Sequence, residues 1–276
     1  MANQQIIALS GKKGSGKSTS CNFMIGLHML ALGLVKENFR IDPSGGLNIS
    51  DINGDKDFEG IFDVNRGTPA MEVFLADNLD PYVKLYSFAD LLKTEVCMKI
   101  LGLTYEQCYG TNEQKDSLTG LKWRDIGQLV GKIPKELYSK YGQEELTRDY
   151  LTAREALQII GTGIFRKISD SVWVDATLRR IQGENAACAI ICDCRFPNEV
   201  EGVQKAGGKV VRLTRSPYKD SHESETALDE GKFDWNKFDL VIKNESLTID
   251  ESNTQLYKKL KEWGALPIEL EEMETK

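Results

Sequence analysis

Residues 9–23 read LSGKKGSGKSTSCNF and follow the apolar residues Ile6, Ile7 and Ala8. Gly11, Gly14, Gly16, Lys17 and Ser18 fit G-x-x-x-x-G-K-[ST] at every fixed position, with Ser15 and Thr19 completing the loop. The pattern requires a strand before it and a helix after it, and the flanking sequence supplies both. Glycines let successive backbone N–H groups turn inward around phosphate oxygens, and the following helix presents its positive end. Lys17 then neutralises the outer phosphates, and the Ser18 hydroxyl is placed to ligate Mg²⁺. A flexible Gly/Ser turn would need neither the lysine nor this context.

The chain of 276 residues, 41% hydrophobic, is long enough for one large domain with insertions. Its net charge of −7 and lack of a long Lys/Arg block favour small nucleotides over a nucleic-acid backbone as the source of the phosphates. Six cysteines without a C-x-x-C pair, and only two histidines, fit a reduced cytoplasmic protein better than a metal or disulfide scaffold. Cys188, Cys192 and Cys194 are expected on one face of a strand by period-two alternation. The longest apolar run, Phe23–Val35, contains His28, is too short to span a bilayer, and is expected in the core. No membrane association is expected, and the N-terminus does not read as a signal peptide.

From Lys36 to Asp80 the sequence turns rich in Asp, Asn and Gly, an irregular insertion with room for a hairpin. Asp51, Asn53, Asp55 and Asp57 are spaced as in a calcium loop. Lys56 stands where that loop needs Gly, and Phe62 where it needs Glu, so a solvated loop is expected. Strands are expected over Tyr82–Phe88, Ala187–Asp193, Val210–Thr214 and Phe238–Ile242. Helices are expected over Asp90–Leu101, with Leu91, Leu92, Val96 and Ile100 inward, and from Thr152 to Gly161. Others are expected over Asp170–Gln182 and Asn198–Ala206, and from the Thr248/Glu251 capping box to Trp263. Residues 108–150 are polar and broken by Gly and Pro134. Strands alternating with helices predict an α/β fold with a parallel sheet whose ligands sit at the C-terminal strand ends.

At the end of one such strand stands Asp193, where a phosphate-loop enzyme keeps its metal-binding carboxylate, with Arg195 two residues on. Alone the pair could be a surface salt bridge; beside Lys17 it reads as cation and anion chemistry at one sheet edge.

The segments YSFADLLK, LGLTYEQCYGTNEQKD, TAREALQIIGTGIFR, VWVDATLRRI, ICDCRFPNEVEGVQKAGGKVVRLTR and DSHESE occur in the order found in phage-type deoxynucleoside monophosphate kinases, which this chain closely resembles. The resemblance covers nearly all of 82–226 together with the loop at 11–19. It implies the P-loop kinase fold: a parallel sheet flanked by helices, a monophosphate-binding region that includes 104–150, and a lid over 215–235. It implies ATP as donor, Mg²⁺ as cofactor and deoxynucleoside monophosphates as acceptors, in the host cytoplasm if the gene belongs to a phage. Phe88 and Lys93 would lie near the acceptor, and Arg154, Gln158, Gly161, Thr162 and Trp173 would shape its pocket. Arg195 would face the transferring phosphoryl group, Arg215 would join His222 and Glu225 in the lid, and Asn244 would sit near the donor's adenine. Where members of the family carry Asp and then Thr after the loop lysine, this chain carries Ser18 and Thr19, so either hydroxyl could serve the metal. On residues alone, Arg154 also reads as a solvated charge, Trp173 as core and His222 as a loop histidine. A kinase of the dephospho-coenzyme A type and a regulatory NTPase switch stay open as alternatives, as does a homodimer.

Overall fold

A computed structural model describes residues 4–35, 39–50, 59–63, 69–80, 82–131, 138–139, 142–146, 148–218 and 222–266. The chain divides into two compact units, residues 1–87 with 177–276, and residues 88–176.

The first unit is built on five parallel strands: β1 (Gln5–Ser10), β2 (Val83–Tyr86), β3 (Cys188–Cys194), β4 (Lys209–Leu213) and β5 (Leu240–Ile242), in the order β5-β4-β1-β3-β2. The inner strands are apolar over most of their length because helices cover both faces of a parallel sheet. Ile7, Leu9, Ile190, Ile191, Val210 and Val211 are all fully buried. Every strand of a parallel sheet ends on the same edge. Ser10, Cys194, Leu213 and Ile242 therefore deliver their following loops to one place, with β1 aligned to β3 at Gln5–Cys188 and to β4 at Ile7–Lys209. This is the parallel α/β sheet that the sequence predicts, consistent with a P-loop kinase fold.

The apolar run after the loop forms the helix Lys17–Ala31 and is core as expected, with Met24, Ile25 and Met29 buried and His28 bonded through Nδ1 to the Met24 carbonyl at 2.9 Å. The insertion folds into an antiparallel sheet of Arg40–Ile41, Leu47–Ser50 and Glu59–Phe62. Its first turn is held by Asp42, whose Oδ1 accepts from the backbone of Ser44 and Gly46. The acidic stretch 51–58 lies outside the described residues, as do Pro134, Asp220 and Ser221. Among the described residues no helix is long and apolar enough to cross a membrane.

Alternation fails at one place. Ala8 pairs with Ile191 but Ser10 with Cys194, so β3 carries one extra residue across 192–193. A bulge reverses the faces beyond it. Cys188 and Cys192 pack with the core beside Cys21, whereas Cys194 is buried outside that cluster, which corrects the expectation of three cysteines on one face.

Glu184, at the end of the helix Val172–Glu184, joins that helix to β2 by accepting from Tyr86 Oη at 2.9 Å and pairing with Lys84 and Arg180. Burial alone would raise its pKa, but the bonds from Arg180, Lys84 and Tyr86 outweigh it and hold the carboxyl at about 2. A depressed carboxyl contributes stability above its unfolded pKa and loses it as pH falls through the folded one. Glu184→Gln should lower Tm at pH 7 by about 2–4 °C, as for a contribution of about 1 kcal/mol. The gap to wild type should close between about pH 4.5 and 2 in a melting series, and a pH-independent gap would contradict this.

In the second unit Leu118–Lys122 pairs antiparallel with Tyr150–Thr152, and Tyr138–Ser139 with Gly142–Leu146. Thr152 starts the helix Ala153–Gln158 as expected and caps it in a capping box with Glu155, but the helix does not stop at Gly161. It continues as a π-helix, Ile159–Phe165, in which a Cβ on residue 161 would stand 2.6 Å from Leu92 Cδ2. Leu92–Ile100 is also a π-helix. Its wider turn brings residues five apart to one face. Leu92 and Cys97 are thus the buried pair while Ile100 is 73% exposed, which corrects the inward set read from a 3.6-residue period.

Candidate active site

Gly16 stands at the start of the helix Lys17–Ala31 with φ of 102°, a left-handed conformation that glycine adopts without strain, and it offers no side-chain cap. The first amides of the helix are therefore left to partners outside it. Ser15 Oγ is buried inside the loop without a hydrogen-bond partner among the described residues. Such an orphan calls for a ligand or water.

Lys17 folds back over the loop, its Nζ donating to the carbonyls of Gly11 at 2.5 Å and Lys12 at 2.8 Å. Burial, and next the Arg195 guanidinium, pull its ammonium down to about 7, with Asp193 opposing and Arg212 adding to the fall. A cation held so poorly solvated gains strongly from an incoming anion.

Asp193 lies in the bulged end of β3, and its Oδ2 accepts from Ser87 Oγ at 2.6 Å. The following turn is held by buried Glu199, whose Oε2 accepts from the amides of Arg195 at 2.6 Å and Phe196 at 3.0 Å. Pro197 then opens the helix Pro197–Lys205 at a position where a missing N–H costs nothing. Arg195 pairs with Glu225.

Asn244, after β5, is tied to the loop. Its Nδ2 donates to the Ser15 carbonyl at 2.8 Å, and its Oδ1 accepts from the amides of Thr214 and Arg215. It braces the phosphate loop against the end of β4, leaving the exposed Arg215 side chain beside it. Thr19 packs against the insertion, since a Cβ on Gly45 would meet its Oγ1. Ser18 is half-buried in the first helical turn.

Sequence reasoning missed Arg212, Glu225's contacts, Ser87 and Glu199. Arg212 is a buried cation on β4, 4% exposed, donating to Ser10 Oγ at 3.1 Å and stacked 5.4 Å from the Trp235 ring. Its Nε has no hydrogen-bond partner among the described residues, and burial lowers its pKa. A second charge following two buried valines in the strand KVVRL was the available signal.

The acceptor residues named above all fall in the second unit. Arg154 is held at the surface by Asp116 Oδ1 at 2.7 Å and Asn112 Oδ1 at 3.0 Å. Gln158 lies one turn on, half-buried. Lys93 Nζ sits 4.4 Å from the centroid of the Tyr109 ring, and Phe88 is buried. Trp173 is buried against Phe165, and its indole N–H donates to the Gly161 carbonyl at 3.1 Å, so the Trp, Gly161 and the half-buried Thr162 form one packed corner. The phosphate-loop residues, Asp193, Arg195, Arg215 and Asn244 thus fall in one unit, and the other residues expected around an acceptor in the second.

No family profile matches the chain. A protein of Acanthamoeba polyphaga mimivirus that bears the provisional name deoxynucleotide monophosphate kinase is 31% identical over 176 residues, which cover 62% of this chain and 79% of the viral protein.

Proposed function

Because the chain belongs to the deoxynucleotide monophosphate kinase family of that viral protein, we propose that it transfers the γ-phosphoryl group of ATP to the 5′-phosphate of a deoxynucleoside monophosphate. The observation that carries this reading is the phosphate loop at the C-terminal edge of the sheet, with Lys17 buried within the electrostatic reach of Asp193 and Arg195. A phosphate acceptor is already a nucleophile at neutral pH, so the protein has to position and neutralise rather than abstract a proton.

Ser15 Oγ and the loop amides take the donor's phosphates, and Lys17 exchanges its two loop carbonyls for phosphate oxygens. Arg195 stabilises the charge on the transferring group, and the segment 215–235 closes as a lid that keeps water away. Ser18 and Asp193 fit Mg²⁺, which takes one or two protein oxygens beside substrate phosphates and retained waters. Thr19 packs against Gly45, which favours Ser18 as the hydroxyl. When bound, Mg²⁺ neutralises charge on the phosphates. Among the described residues there is no cluster of His, Cys, Asp or Glu to hold a metal without the nucleotide.

The acceptor is assigned to Phe88, Lys93, Arg154, Gln158, Gly161, Thr162 and Trp173 within residues 88–176. Arg154→Ala should remove a charge-assisted contact of about 1.5–3 kcal/mol, raising the acceptor KM roughly tenfold to a hundredfold while the ATP KM stays put. An unchanged acceptor KM would take Arg154 out of the site; a lowered Tm with both substrates affected alike would make it structural.

The reading as a whole is tested by ATP-dependent phosphorylation of a panel of deoxy- and ribonucleoside monophosphates with dephospho-coenzyme A included. Turnover of a deoxynucleoside monophosphate is expected, and ATP hydrolysis indifferent to every acceptor would overturn it.

A further inference from the structure

The segment after β4 lies on the phosphate loop and touches it at three consecutive residues. Lys12 Nζ pairs with Asp229 Oδ1 at 2.7 Å, and the Lys13 N–H donates to Glu225 Oε2 at 2.7 Å. At Gly14 an added Cβ would stand 2.7 Å from Pro217 Cγ and 2.8 Å from the Tyr218 ring. The segment is anchored at both ends. On one side Thr214 and Arg215 hang from Asn244; on the other, buried Leu228, Phe233 and Phe238 pack with Trp235, whose indole donates to the Leu228 carbonyl.

Glu225 is the unusual member of this strap. It is 8% exposed, and its two carboxylate oxygens are divided between a phosphate-loop amide and the guanidinium of Arg195. Its partners are therefore those a phosphoryl oxygen would choose: a backbone N–H of the loop and an arginine. A structural carboxylate could cap either group; taking both places its charge where the loop is built to receive one.

We propose that Glu225 is a built-in anion of the phosphate loop, competing with the outer phosphate of the donor for the Lys13 amide and for Arg195. Donor entry then displaces the carboxylate, and the same step frees Arg195 for the phosphoryl group, so the arginine is released only when there is phosphate to meet. Residues 222–229 release the loop when the donor enters, with Asp229 letting go of Lys12, and the lid closes only once the acceptor is also bound. This inference rests on the kinase reading only for the identity of the anion.

The test is equilibrium binding of tripolyphosphate, and separately of ATP, to the full chain by titration calorimetry with no acceptor present. Removing a competitor raises apparent affinity by the reciprocal of the fraction of protein that it had left free. Glu225→Gln should bind both ligands about tenfold more tightly. Asp229→Asn removes an equal charge at the neighbouring lysine without freeing an amide, and should tighten binding less. Equal tightening in the two variants would reduce the effect to net charge and overturn the proposal, as would unchanged or weaker binding by Glu225→Gln, which is the result for a carboxylate that only supports Arg195. Should Glu225→Gln not fold, hydrogen exchange on the wild-type protein decides. Amides of 222–229 should exchange faster when tripolyphosphate saturates the loop, and slower or unchanged exchange counts against displacement. None of these measurements involves turnover, so a negative acceptor panel with tighter binding by Glu225→Gln would remove the kinase reading and leave the built-in anion standing.

Discussion

Lys17→Met is expected to lower kcat roughly a hundredfold or more while the protein stays folded, the cost of removing one preorganised charge from a developing transition state. Methionine keeps the length of the stem and the helix propensity of the position. The loop itself should survive. Its glycine conformations are fixed by the backbone, and the brace from Asn244 to the Ser15 carbonyl does not involve the lysine. The two carbonyls of Gly11 and Lys12 lose their partner, whereas the protein is also relieved of a cation that burial already depresses to about 7. These effects oppose each other, so Tm should stay near that of wild type. A purified variant with near-normal turnover would sink the assignment of this loop as the donor site.

Asp193→Asn is the second large effect. Asparagine can still accept from Ser87 Oγ, so the turn into Arg195 should hold its shape, with Glu199 continuing to bind the amides of Arg195 and Phe196. What is lost is the negative charge that faces Lys17 and fits the cation. Turnover should fall by roughly a hundredfold at a fixed Mg²⁺ concentration, and the concentration giving half-maximal rate should rise. A Mg²⁺ titration that superimposes on that of wild type would make the carboxylate a partner of Ser87 alone. Ser87→Ala separates the two roles further: if the hydroxyl merely orients the carboxylate, its loss should lower kcat by much less than loss of the charge.

What the sequence determined by itself was everything that depends on contiguous residues. The loop, the parallel sheet, the apolar helix behind Lys17, the helix start at Thr152 and the capping box at Thr248 each rest on patterns within short stretches, and local geometry realises such patterns directly. Strand-end position extended this to Asp193 and Arg195, and resemblance to the acceptor residues, without supplying their surroundings. Tertiary structure alone decided the rest. The bulge in β3 arises from pairing with β1, and no residue of β3 announces it. The π-turn at Leu92–Ile100 buries Cys97 in place of Ile100, and its Leu92 packs beside Gly161, a residue far along the chain. Arg212 and Glu225 read locally as one strand charge and one acid in a polar run. Their placement at the loop comes from parallel strands ending on one edge and from a strap anchored at both ends, contacts that a one-dimensional pattern does not encode.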